Sequence, residues 1–193
     1  MEFFKLVKSL LGKTKQLFFD GYSTAVYMLL VKNVSHSPPP KIFFVCHGNI
    51  CRSAFAHAYV LQKKTTQPIP NELIFNSFGI KAIQDNTPPE NAINVAHLLG
   101  VDLSRHKAKI LRKEEIGKDD WLIGMDFRNF IQLRKMFFER KGNNIFLLRH
   151  FGRKCFEPIN IRDPYGKSEE KFNDCFLLLA KHVNCLIAQL DIK

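Results

Sequence analysis

Residues 45–53 read Val-Cys-His-Gly-Asn-Ile-Cys-Arg-Ser, an order of side chains suited to holding an oxyanion and attacking it. Cysteine is a nucleophile as its thiolate. Cys46 stands where an apolar run gives way to a helix start, so inward backbone N–H groups and the helix N-terminus favour the charged form. Between Cys46 and Arg52, Gly48 and Asn49 are residue types that tolerate positive φ. The loop is therefore expected to curl there into a concave nest of N–H groups around one anion. Arg52 carries a planar fork of donors that matches two phosphate oxygens and can follow the charge as it spreads in a transition state. Ser53, in the first helical turn, is placed to donate to the sulfur and help it leave. A cysteine and an arginine six positions apart mean little alone; Gly48, Asn49, Ser53 and the preceding strand make the pattern specific. The expected phosphate-binding loop is Cys46, His47, Gly48, Asn49, Ile50, Cys51, Arg52 and Ser53.

A thiolate that attacks phosphorus also needs an acid, because the departing oxygen must take a proton. Ile161-Arg162-Asp163-Pro164-Tyr165-Gly166 follows the last strand-like run and precedes a long helical pattern. Asp163 thus lies on a loop stiffened by proline and is the acid candidate, although an ordinary Asp-Pro turn would read the same way. Tyr165 is placed to stack on an aromatic substrate.

The elements that must carry these residues alternate. Strand-like runs at 41–45, 73–77, 120–125 and 144–148 are separated by helical patterns at 52–63, 90–99 and 127–140, with Ser168, Glu169 and Glu170 opening a last helix. Such alternation predicts an α/β three-layer sandwich, a central four-stranded parallel sheet flanked by helices. Ligands of such folds bind at the carboxyl ends of strands, where the Cys46 loop falls. At 193 residues the chain has room for one good core and not for a second full domain. Pro38-Pro39-Pro40 marks the boundary between an N-terminal extension, 1–40, and a domain spanning 41–193.

With these residues in view, the chain resembles the low-molecular-weight protein tyrosine phosphatases. The hallmark loop of that family near the start of the domain and its Asp-Pro-Tyr loop near the end are both present in order. Asn76-Ser77-Phe78-Gly79, Ser104-Arg105-His106-Lys107-Ala108 and Met125-Asp126 with Asn129 look like further landmarks. The resemblance implies the phosphotyrosine phosphatase I-like fold and hydrolysis of phosphotyrosine without cofactor or metal. It makes Cys46 the nucleophile, Arg52 the phosphate ligand, Asp163 the general acid and later base, and Asn49, Ser53, Ser77 and His106 a network holding the loop. It also implies a phosphotyrosine-containing protein as partner.

Several positions depart from the family pattern. Ala54 replaces a usual proline, which bears on helix stability more than on chemistry. His47 stands at a commonly aliphatic loop position, where it can add a pH-dependent charge at the rim or simply face solvent. Ile83 falls where eukaryotic members have an aromatic pocket wall, which resembles bacterial members acting on tyrosine-kinase systems. With Tyr165 and His47 it is the expected substrate wall. Two relatives share the scaffold. Arsenate reductases relay oxidation through further cysteines, but no cysteine lies between Cys51 and Cys155, and Cys175 falls on an apolar helix face. Protein arginine phosphatases typically carry threonine where this chain has Ile50. A noncatalytic phosphoprotein-binding module is the remaining alternative.

Five cysteines without paired spacing point to a reducing cytoplasm. Cys46, His47, Cys51 and His57 as zinc ligands are disfavoured by the adjacent positions of the first two. Cys51 is instead expected to form a reversible disulfide with Cys46 under peroxide. The formal charge of +11 would draw acidic or phosphorylated partners. No nucleic-acid motif appears, and clusters such as Arg149, Arg153 and Lys154 are read as solvated surface. In the extension, Phe3, Phe4, Val7, Leu10 and Leu11 share a helical face with lysines nearby. Residues 17–31 are apolar but too few to span a bilayer, and include Asp20. This arm is expected to pack on its own domain or a second subunit, with docking to a membrane surface through residues 1–40 as the alternative.

Overall fold

The computed structural model describes residues 2–31, 39–139, 144–154 and 157–190, with side chains from residue 12 onward. Its central strand is β1 (Lys41–Cys46), where every residue after Lys41 is buried. Successive side chains of a strand point to opposite faces. Ile42, Phe44 and Cys46 therefore enter one core and Phe43 and Val45 the other. A fully buried side chain of this size contributes about 1.5–3 kcal/mol, and a one-residue slip would move all of them to the wrong face, so the position of Cys46 is fixed by packing.

The sheet has the order β2-β1-β3-β4, with β2 at Ile74–Gly79, β3 at Trp121–Gly124 and β4 at Ile145–Leu147, all pairs parallel. Helix α2 (Arg52–Lys64), α3 (Glu90–Leu98) and α5 (Glu169–Ala188) pack on the Ile42 face. Helix α4 (Phe127–Met136) and α1 (Glu2–Leu30) pack on the Phe43 face. This is the expected three-layer α/β arrangement. The chain leaves β1 for β2 on one side and returns to β3 on the other, so the crevice at the carboxyl end of β1 is the switch point where ligands enter such sheets.

Local chemistry explains the helix ends. Asp126 caps α4 by accepting the Asn129 N–H at 2.8 Å. That helix stops at Met136 rather than continuing to Arg140, which lies outside the described residues. Ser168 occupies the N-cap position of α5, but its hydroxyl makes no capping hydrogen bond; Glu169 and Glu170 in the first turn complement the helix dipole instead. The apolar face expected on α5 is buried from Phe172 to Leu190, with the Phe176 ring stacked 4.1 Å from Phe55.

The extension forms the long helix α1. Its inward face carries Asp20, Ser23 and Tyr27, all buried. The Tyr27 ring lies 4.9 Å from Phe130, and its hydroxyl oxygen accepts the Leu147 N–H at 3.1 Å. Leu17, Phe18, Tyr22 and Leu29 face outward and are exposed. The amphipathic face expected at Phe3, Phe4, Val7, Leu10 and Leu11 lies outside the described side chains, as does the boundary proline Pro38.

Candidate active site

The sulfur of Cys46 sits at the end of β1. It receives the Asn49 N–H at 3.2 Å and lies 3.0 Å from Ser53 Oγ in the first turn of α2. Both contacts suit a sulfur that carries negative charge. Of the two residues expected to allow the loop its turn, only Asn49 takes the left-handed conformation, at φ 56°. Gly48 does not, because the side chain of Asn49 holds the turn where it is. Its Nδ2 donates to Ser53 Oγ at 2.9 Å and to Ser77 Oγ at 3.0 Å, and its Oδ1 accepts the Lys109 N–H at 2.9 Å. His106 Nε2 meets the Asn49 carbonyl at 2.7 Å. Left-handed backbone costs a non-glycine residue about 1–2 kcal/mol, and four hydrogen bonds at about 0.5–1.5 kcal/mol each outweigh it. Burial lowers the His106 pKa, and Lys109 adds to this against the opposing bond to the Asn49 carbonyl. A neutral ring donating through Nε2 fits that contact.

The end of β2 lies against this loop more closely than any side chain would allow. A Cβ on Gly79 would stand 2.8 Å from the His47 carbonyl oxygen and 2.9 Å from Asn49 N. Ile80 and Lys81 then donate their N–H groups to the carbonyls of Cys46 and His47 at 3.0 and 2.9 Å. Gly79 belongs to the loop's support, and its role follows from approach distance rather than from its own backbone angles.

Arg52 is 2% exposed and grips three groups. Nη1 donates to Asp126 Oδ2 at 2.6 Å and to the Ile161 carbonyl at 3.1 Å, and Nη2 donates to Asp163 Oδ2 at 2.5 Å. Among the described residues Arg52 Nε is buried and has no hydrogen-bond partner. Burial works against the charge of this guanidinium, but Asp126, Cys46 and Asp163 outweigh it and hold its pKa above the ordinary arginine value. Asp163 accepts the Tyr165 N–H through Oδ1 at 3.1 Å, which orients the carboxylate at the cavity mouth.

These residues enclose a cavity of about 280 Å³. Cys46 and Arg52 lie at its base, and His47, Ile50, Ile83 and Tyr165 form the walls, with Ile83 and Tyr165 mostly exposed at the rim. Lys81 and Asn86 line it too, unforeseen in the sequence because they follow β2 at a distance set only by the sheet register. Cys51 is buried beneath the loop, and burial, then Asp163 and Cys46, push its thiol pKa well up despite Arg52. Cys175 packs in the α5 core, where burial pushes its thiol up to about 12. Cys155 lies outside the described residues. Arg149 is not the solvated side chain expected: it is buried and paired with Glu157 at 3.2 Å.

Residues 41–193 match the model of the family described as low molecular weight phosphotyrosine protein phosphatase. The low molecular weight phosphotyrosine protein phosphatase 2 of Drosophila melanogaster is 30% identical over 145 residues, 72% of this chain and 87% of the relative. The Escherichia coli K12 low molecular weight protein-tyrosine-phosphatase Wzb is 31% identical over 140 residues, covering 72% and 88%. In structure, Wzb of Escherichia coli K30 in complex with sulphate superposes with a TM-score of 0.67 at 26% identity, covering 79% of this chain and 99% of that one. The YwlE arginine phosphatase of Geobacillus stearothermophilus gives 0.68 at 26%, covering 79% and 93%. With the match running through the whole of β1 to α5, the chain belongs to the low molecular weight phosphotyrosine protein phosphatase family.

Proposed function

We propose that this protein hydrolyses phosphotyrosine in proteins through a cysteinyl-phosphate intermediate. The observation that carries the reading is convergence: the Cys46 sulfur, the Arg52 donors and the Asp163 carboxyl all face one cavity. In the first step Cys46 attacks phosphorus while the loop N–H groups and Arg52 take up the charge of the equatorial oxygens. Asp163 gives its proton to the departing phenoxide. In the second step Asp163 removes a proton from water as it attacks the phosphocysteine, and Ser53 steadies the sulfur as it leaves.

Ile50, an aliphatic wall beside the sulfur, supports an aromatic phosphoester over phosphoarginine, and Ile83 on the rim supports a substrate from a bacterial tyrosine-kinase system. The burial of Cys175 in the α5 core speaks against a thiol relay. The test compares turnover of para-nitrophenyl phosphate, a phosphotyrosine peptide and a phosphoarginine peptide by wild type and Cys46→Ser. Wild-type turnover of the first two, abolished in the variant, is expected. Retained turnover in Cys46→Ser overturns the mechanism, faster phosphoarginine hydrolysis overturns the substrate, and tight phosphate binding without turnover makes the protein a binding module.

A specific observation favours attachment to an anionic membrane surface as well. The outward face of α1 joins Leu17, Phe18, Tyr22 and Leu29 to the exposed Lys15, while its Asp20 points into the protein. No helix among the described residues is long and apolar enough to cross a membrane. Sedimentation with phosphatidylserine vesicles should fall in a Phe18→Asp, Leu29→Asp variant; equal sedimentation removes this reading.

A further inference from the structure

Helix α1 lies outside the matched family domain, yet its buried polar residues reach the segment that carries Asp163. Asn160 is the junction. Its Nδ2 donates to Asp20 Oδ1 and to Ser23 Oγ, both at 2.8 Å, and its Oδ1 accepts the Phe127 N–H at 2.8 Å. Phe127 follows Asp126, and Asn160 precedes Ile161, so one amide touches the two chain segments whose groups hold Arg52. Thr24 Oγ1 accepts the Ile159 N–H at 3.2 Å, and the Arg162 guanidinium reaches Asp20 Oδ2 at 3.4 Å. Residues 159, 160 and 162 therefore each bond to α1, and Asp163 comes next.

Chemistry makes Asp20 more than another contact. An asparagine amide presents a donor at one end and an acceptor at the other. The Phe127 N–H only donates and an ionised carboxylate only accepts, so the two hold the Asn160 amide from both ends, Oδ1 on Phe127 and Nδ2 on Asp20, and Asp20 ties that amide to α1. Asp20 and Asn160 are 4% and 8% exposed, where water competes poorly for these groups. The bond from Ile161 N–H to the Met125 carbonyl at 2.9 Å completes the link between the two segments.

We propose that Asp20 is a positioning residue for the phosphatase reaction: through Asn160 it fixes the 159–163 segment, and so the distance of the Asp163 carboxyl from the leaving oxygen. This inference rests on the acid role of Asp163 argued above. The N-terminal helix is then part of the working enzyme.

The test uses the full chain with Asp20→Ala, Asp20→Asn and the milder Ser23→Ala. Two quantities are read: kcat/KM, which reports the first phosphoryl transfer alone, against the leaving-group pKa of a series of aryl phosphates, and hydrogen exchange of the Ile161 amide. A misplaced acid slows poor leaving groups most, so Asp20→Ala should lose about tenfold on phenyl phosphate and under about twofold on dinitrophenyl phosphate. Exchange at Ile161 should rise about tenfold. Asp20→Asn, which keeps an acceptor, should recover most of both, and Ser23→Ala should shift both the same way by less. Unchanged exchange at Ile161 in folded Asp20→Ala and Ser23→Ala overturns the inference whatever the activity. A loss equal across all leaving groups overturns it too, since that is what a general loss of stability produces. An inactive wild type would instead sink the phosphatase reading, and the exchange measurement would still decide the link to α1.

Discussion

Arg52 Nη2 donates to Asp163 Oδ2 at 2.5 Å, so the side chain placed to bind phosphate and the side chain placed to give a proton hold each other. A charge-assisted hydrogen bond is stronger than a neutral one, and an arriving phosphate must share or displace this one. In the proposed mechanism the phosphate oxygens then become acceptors for Arg52, and the Asp163 carboxyl is freed toward the leaving group. Binding and acid placement are thereby one event.

Replacing the carboxyl separates the two. Asp163→Asn should lower kcat/KM on phenyl phosphate by about 10²–10⁴, and less on dinitrophenyl phosphate, which needs no proton to leave. The same variant should bind inorganic phosphate more tightly, because Arg52 loses a competing anion and the ligand loses a like charge. Competitive inhibition by phosphate reads the second effect; a weaker inhibition constant would show that the mutual hold is unimportant.

Asp126 faces Arg52 from the other side and caps α4 at once. Asp126→Asn keeps an oxygen for the cap but removes the charge, which costs about 1.5–3 kcal/mol for a bond to a charged group. Thermal unfolding should shift down accordingly, and KM should rise by a larger factor than kcat falls, because Arg52 loses its tether rather than the acid. A kcat effect larger than the KM effect would place Asp126 in the proton transfer instead.

Gly79→Ala pushes a methyl group against the His47 carbonyl and Asn49 N, both backbone atoms that have little room to move. Overpacking of this kind costs about 1–3 kcal/mol. The strain falls on the loop itself, so phosphate affinity should drop by at least tenfold while the secondary structure seen by circular dichroism persists. Titration with vanadate, which occupies the same cradle, gives the measurement.

His57 supplies a pH dependence of stability. Burial first, then Lys109 and His106, lower its pKa from 6.5 to about 4 against an opposing bond to Phe75. The unfolded chain therefore takes up a proton near pH 6.5 that the folded chain refuses until about pH 4. Stability contributed by the neutral ring is full above pH 6.5 and is lost as pH falls through that window, by about 3 kcal/mol in all. Denaturant midpoints from pH 7 to 4 should fall in wild type and fall less steeply in His57→Gln, His106 and other histidines whose pKa burial lowers supplying the remainder; equal slopes would refute the assignment.

The sequence made the loop legible because its chemistry is local. Cys46, Asn49, Arg52 and Ser53 lie within eight positions, and a strand before them with a helix after them dictates where they point. Asp163 was legible from its proline and its place before α5. Asp126 stands in the sequence as a family landmark, with nothing beside it to mark it as the partner of Arg52. That pairing depends on the parallel register setting Val45 beside Gly124, which no pattern in either segment announces. In the sequence Asp20 is only a charge that interrupts an apolar run, since its partner Asn160 lies far along the chain. Gly48 shows the converse: its type permits a left-handed turn, but permission is not occupancy, and the bonds of Asn49 decided where the turn falls.

The buried bonds that lock Asn49 into its turn have a thermodynamic consequence for recognition. A cradle already formed loses little entropy when a phosphate enters, so the phosphoryl group should contribute nearly the same free energy in every substrate. Discrimination between substrates then falls to the exposed rim of His47, Ile83 and Tyr165, whose side chains are free to meet whatever surrounds the phosphorylated residue.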